Sequence, residues 1–202
     1  SSFTINKKKI LINNLDFIEN KKLISIKGIK INKKNQLEKF DTIKVVTFND
    51  NRENNNFQIG FKKKRIIIEG KKYDGFFLSE LINSKNQSSY LKNINKEIKI
   101  KIEEVITKSL KPLKNFNLLG EIERGKFTKI SAKGDFGNDK YLDISLKTIS
   151  KNQKILEIYS DYPTSLLAEY KFFDGLKDGK LIYTSNISKD SSKSKLIIAK
   201  CS

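Results

Sequence analysis

The sequence predicts a mainly β protein: antiparallel strands in a meander, solvated on one face, with two short helices. Three observations predict it. Apolar residues recur at every second position along most of the chain, the period at which side chains share one face of a strand. The positions between them carry Lys, Asn and Ser, as they must where the other face meets water. Short polar turns separate the alternating segments at hairpin spacing.

The alternation begins at Ile10 and Ile12, resumes at Ile24 and Ile26, and continues past Gly28 to Ile29 and Ile31; that glycine predicts a bulge or bend. Phe57, Ile59 and Phe61 alternate with Gln58 and Gly60. Ile98, Ile100 and Ile102 alternate with lysines, and Phe116 and Leu118 lead through Gly120 to Ile122. Ile130, Ala132, Gly134 and Phe136 share a face, as do Ile144 and Leu146, and Leu156 and Ile158 belong to a further strand. Turns are expected around Asn20, Asp50, Lys63, Gly125, Asn138 and Lys151.

Two segments read as helical. Residues 74–83 place Phe77, Leu78, Leu81 and Ile82 on one side, and residues 163–173 carry Leu166, Leu167 and Tyr170. Asp161 suits the cap of the second, and Pro163 its first turn, where the amide has no partner in any case. A turn through Asp174, Gly175, Asp178 and Gly179 then returns the chain to a strand at Lys180–Ser185. Each helix follows a strand and an Asp, a weak internal repeat. The chain is expected to be one fragment, 1–202, with possible sub-units 1–94 and 95–202 joined by a polar loop over 84–95.

Composition narrows the function. Hydrophobic residues make up 37% and charged residues 32%, so the apolar side must be narrow. The net charge of +18, from 41 Lys+Arg against 23 Asp+Glu, raises a nucleic-acid or anionic-membrane reading. Arg occurs only at positions 52, 65 and 124, and Lys is spread along the whole chain, whereas phosphate and base readers draw on the bidentate Arg fork. The Lys, Asn and Ile enrichment follows equally from A/T-rich codons. There is no His, no pair of closely spaced cysteines, no P-loop and no dinucleotide fingerprint, which removes the usual triads and most zinc sites. Asp174 and Asp178 frame a Gly turn but lack the ligand series of a calcium loop. Cys201 is alone, so the chain forms no internal disulfide. The expectation is a non-enzymatic protein with no metal and no cofactor. The absence of Met suggests a piece of a longer protein, and no apolar run approaches the ~20 residues that cross a bilayer.

Three stretches resemble the AsmA-like bacterial envelope proteins of the YhdP/TamB type, a bridge-like lipid-transfer family. The first is Ile66-Ile67-Ile68-Glu69-Gly70 followed by Asp74 and Leu78. The second runs from Val105-Ile106 through Leu118-Leu119-Gly120-Glu121-Ile122 and the Arg124-Gly125 turn to Ile130-Ser131-Ala132. The third is Ser160-Asp161 with Leu166-Leu167, then Phe173-Asp174-Gly175-Leu176-Lys177-Asp178-Gly179-Lys180-Leu181. It departs from the family at Asp178-Gly179, where two adjacent glycines are frequent, and at Tyr162-Pro163, where small residues are usual.

The resemblance implies an elongated, curved, open sheet with a groove-like apolar concave face that holds phospholipid acyl chains. It implies a periplasmic protein, tethered to the inner membrane by a segment outside this chain, carrying phospholipid between inner and outer membranes. The expected partners are acyl chains and the rest of the parent chain on both sides, with no nucleic acid. Candidate groove residues are Ile100, Ile102, Leu118, Ile122, Ile130, Ile144, Leu146 and Ile158, each of which ordinary core packing would explain equally. Two alternatives stand beside this reading. A structural or interaction β domain of the envelope would seal its apolar face with a second layer, and a basic nucleic-acid-binding module would gather Lys on one face.

Overall fold

The computed structural model describes residues 2–6, 9–32, 37–75, 95–107, 111–150, 152–167, 179–188 and 191–199. The strands are β1 (Ser2–Asn6), β2 (Lys9–Glu19), β3 (Lys22–Ile31), β4 (Leu37–Lys39), β5 (Thr42–Asn49), β6 (Arg52–Lys62) and β7 (Arg65–Asp74) in the first half. The second half holds β8 (Lys96–Ile106), β9 (Leu113–Glu123), β10 (Lys126–Gly137), β11 (Lys140–Ser150), β12 (Gln153–Ser160), β13 (Lys180–Ser188) and β14 (Ser192–Ala199). One helix, α1 (Thr164–Leu167), follows β12. Of the helix expected over 74–83, Asp74 ends β7 and residues 76–94 lie outside the described residues; the same holds for residues 168–173 of the second.

The strands form one open sheet in the order β1-β2-β3-β5-β6-β7-β8-β9-β10-β11-β12-β13-β14, with β4 added to β3. The fold is mainly β, as the alternation predicts. Chain order is kept throughout, but one pairing departs from an antiparallel meander. β7 and β8 run parallel, with Arg65 opposite Glu97, Ile68 opposite Ile100 and Asp74 opposite Ile106. The alternation could not reveal this, because it is the same for either direction. A parallel pair needs a crossover of a dozen or more residues, and the span 75–95 supplies the length.

Four hairpins turn through paired residues of positive φ: Asn20 and Lys21, Asp50 and Asn51, Arg124 and Gly125, and Asn138 and Asp139. This is the signature of the two-residue turn whose twist matches that of its strands. Gly28 bends β3 at a φ of 66°, where a side chain would also meet the Asp41 carboxylate.

Leu113, Phe136 and Leu142 form a buried cluster, with Val105, Phe116, Ile144, Ile158, Tyr162 and Leu166 packed against it. This cluster closes one end of the second half, under α1. Pro163 and Ser160 beside it are fully buried, and the Pro163 carbonyl accepts from the N–H groups of Leu166 and Leu167. Asp161 does not cap α1. Its carboxylate accepts from the Tyr141 N–H at 3.1 Å and the Tyr159 hydroxyl at 2.5 Å, and so fastens the corner to β11 and β12. The matching end of the first half is polar: Thr47, Asn54, Asn55 and Asp74 hydrogen-bond to one another across β5, β6 and β7.

Gly70 lies at a bulge of β7 against β6, where Lys71 is the extra residue. A Cβ there would come within 2.4 Å of the Asn56 carbonyl oxygen and 2.5 Å of Phe57 Cα, both backbone atoms. Gly70→Ala is expected to cost about 1–3 kcal/mol in urea unfolding. Gly60→Ala, whose nearest neighbour would lie at 3.9 Å, should stay within about 1 kcal/mol of wild type.

Candidate functional site: an apolar row across the sheet

Directly paired residues share a face, so the register traces rows across the strands. One row runs Leu15, Ile26, Ile43, Ile59, Ile68 and Ile100, taking one residue from each strand of β2, β3 and β5–β8. It continues through Leu118, Ala132, Ile144, Ile158, Tyr183 and Leu196 in β9–β14. At ~4.8 Å per strand the row is about 50 Å long. Displaced by one residue, the next row reads Asp16, Ser25, Lys44, Gln58, Glu69, Lys101, Asn117, Lys133 and Asp143 on the other face. It ends in Tyr159, Ile182 and Ile197, so the last two strands are apolar on both sides.

All eight residues expected to line a groove lie on the apolar face. Ile100, Leu118, Ile144 and Ile158 belong to the long row itself. Ile130 and Leu146 sit opposite each other in a flanking row, and Ile102 faces Phe116 on the other side. Ile122 lies at the hairpin end, paired with Phe127 and Lys96. Ile102 and Leu146 are buried, at 2% and 7% exposure, and the other six are half-buried. The first-half members of the row, Leu15, Ile26, Ile43, Ile59 and Ile68, extend the stripe beyond those eight. Ile26, Ile59 and Ile68 already stood in segments read as strands. The signal for Ile43 was blurred by Val45-Val46, where two apolar residues adjoin and one must face away.

Every extensive contact between described elements joins neighbouring strands, and α1 covers only the end of the face at Phe136 and Leu142. Over β5–β8 it is the polar side that is concave, with an open cleft of about 820 Å³ bordered by Lys44, Gln58, Glu69 and Lys101. On that side lysines meet carboxylates across strands: Lys99 with Glu69, Lys129 with Glu121, Lys133 with Asp143, and Lys147 with Glu157. These exposed pairs add little stability, but they divide the positive charge among local partners.

Among the described residues there is no group of three or more His, Cys, Asp or Glu placed to hold a metal ion. No described helix is long and apolar enough to cross a membrane. No known protein family, curated protein or solved structure matches the chain.

Among the described residues, the perturbed acids are tyrosines. Burial raises the Tyr73 phenol above its ordinary value, and the neighbouring Asp74 charge adds to the effect. The hydrogen bond to Asp161 leads in raising Tyr159, and the charge of Asp139 in raising Tyr141. A raised phenol favours the folded state until the unfolded chain begins to lose its proton near pH 10; the advantage then fades as pH climbs toward the folded value. Urea midpoints should therefore fall above pH 10, and less steeply for Tyr73→Phe than for wild type.

Proposed function

We propose that this chain is a non-enzymatic lipid-carrying segment of an AsmA-like protein, with phospholipid acyl chains lying on the apolar face of the sheet. The observation that carries the reading is the unbroken apolar row from Leu15 to Leu196, half-buried or exposed at every position but Ala132. A surface of that length without specific polar contacts suits a cargo recognised by its hydrocarbon alone. Full burial of a methylene contributes about 0.8 kcal/mol, and an open face gives roughly half. A sixteen-carbon chain laid on this face thus gains on the order of 6 kcal/mol, enough to hold it while leaving it free to move on. Periplasmic placement, a tether in the inner membrane and transfer to the outer membrane rest on the resemblance.

A structural or interaction β domain of the envelope is the second reading. The closed cluster of Leu113, Phe136 and Leu142 favours it, because there the apolar face is sealed by α1. A nucleic-acid module is disfavoured by the cross-strand ion pairs, which share the lysines of the polar face with carboxylates.

A photo-reactive residue at Ile144 in the full-length parent protein, with mass spectrometry of the adduct, separates the two. Phospholipid is expected on Ile144 and not on Lys147, which points from the other face. Intact folding and good labelling with no lipid at Ile144 would favour the structural domain.

A further inference from the structure

The two ends of the strands in β7–β12 are unlike. At one end the face is closed by Phe136, Leu142 and Leu166, and the nearby Asp135, Asp139 and Asp161 are offset by Lys111, Lys114, Lys140 and Lys180. At the other end the face is open and basic. Lys96 and Lys154 start from the apolar face, two residues before Ile98 and Leu156, and run out to the rim. Their ammonium groups donate to the carbonyls of Lys63 at 3.1 Å and Phe127 at 2.7 Å. The Lys96 bond is exposed, the snorkelling geometry of a lysine with its stem on hydrocarbon and its charge in water, whereas the Lys154 bond is part-buried and crosses over β11.

The adjoining turns add Lys63, Lys64, Arg124 and Lys126. The turns are contiguous: Glu97 N–H donates to the Lys64 carbonyl, and Arg124 N–H to the Asn95 side chain. Arg65 is paired with Glu97 and Lys129 with Glu121, and Glu123 stands opposite Lys126. The side chains of Lys63, Lys64, Arg124 and Lys126 have no ion-pair partner among the described residues. From Ile122 at this rim to Phe116 beside the closed cluster is six residues of strand, about 20 Å. One leaflet of a bilayer's hydrocarbon core is about 15 Å deep.

Building on the lipid reading, we infer that the cargo carries an anionic, phosphate-bearing headgroup that sits at the rim formed by Lys63, Lys64, Lys96, Arg124, Lys126 and Lys154. Its acyl chains run along the strands toward the closed end. An aliphatic floor with a net-basic rim at its open end matches an amphiphile of one charge sign, and the sealed opposite end fixes which way that amphiphile points. A neutral or cationic headgroup would leave the rim charges uncompensated.

Native mass spectrometry of the 202-residue chain tests this with phosphatidylglycerol, phosphatidylcholine, diacylglycerol and glycerol phosphate. Phosphatidylglycerol should be retained roughly tenfold better than phosphatidylcholine or diacylglycerol, a margin that shrinks in high salt. The double variant Arg124→Gln/Lys126→Gln should lose that margin and keep diacylglycerol, whereas Arg52→Gln at the opposite end should change nothing. Equal retention of all three lipids, with a salt-insensitive wild type, would overturn the headgroup assignment and leave the lipid reading standing. Glycerol phosphate bound as tightly as phosphatidylglycerol would overturn it too, because the rim would then be a free-phosphate site. Failure of the folded protein to retain any lipid would sink the lipid reading itself.

Discussion

The constraint on which the structure depends is phase. Twelve strands contribute one residue each to the row from Leu15 to Leu196, and the row stays apolar only because no pairing slips by a single residue. A slip in any strand would turn its isoleucines to water and its lysines onto the apolar face. The hairpins hold the phase locally. Two-residue turns through Asn20-Lys21, Asp50-Asn51, Arg124-Gly125 and Asn138-Asp139 set each register, and the single extra residue beside each of the last three is absorbed close to the turn. Where a bulge does occur, the pattern adapts. Asn115 takes a φ of 51° inside β9, and Leu113 beyond it still packs with Phe116, Phe136 and Leu142.

Stability and function make opposite demands on this sheet. A single sheet with water on one side and an open apolar side on the other has little dry interior, and the most buried residues gather where something covers the face. Leu113, Phe136, Leu142 and Leu167 are buried at the α1 corner, while Ile144, two residues along β11 from Leu142, and Ile158 opposite it in β12 remain half-buried. The corner thus anchors the second half and leaves the rest of the face available to a ligand. Its polar fastenings, the Asp161 carboxylate on Tyr141 and Tyr159 and the Ser160 hydroxyl on the Tyr162 N–H, satisfy groups that would otherwise be stranded beside the cluster.

Much of this was legible in the residues. Ile98-Ile100-Ile102 among lysines, and Ile130-Ala132-Gly134-Phe136 among polar neighbours, admit hardly any reading but half-buried strands, and all eight proposed lining residues fall on one face. Three things were not legible. The parallel direction of β8 leaves no trace in a period of two. The fate of Asp161 depended on Tyr141, 20 residues earlier and adjacent only in the folded sheet, so a local capping rule pointed to the wrong partner. The basic rim was invisible because Lys63, Lys96, Arg124 and Lys154 are scattered in a chain where lysine is everywhere; only the stacking of the turns gathers them at one end.

The parallel seam between β7 and β8 also governs how such a sheet can assemble. On either side, most strands can add to a hairpin already formed, at the small entropic cost of a two-residue turn. At the seam the chain must close a loop from Asp74 to Lys96 before any pairing is rewarded, and the corner between β12 and β13 is the other long closure. The chain-entropy cost of forming the sheet therefore falls at this seam and at the β12–β13 corner rather than at the two-residue turns.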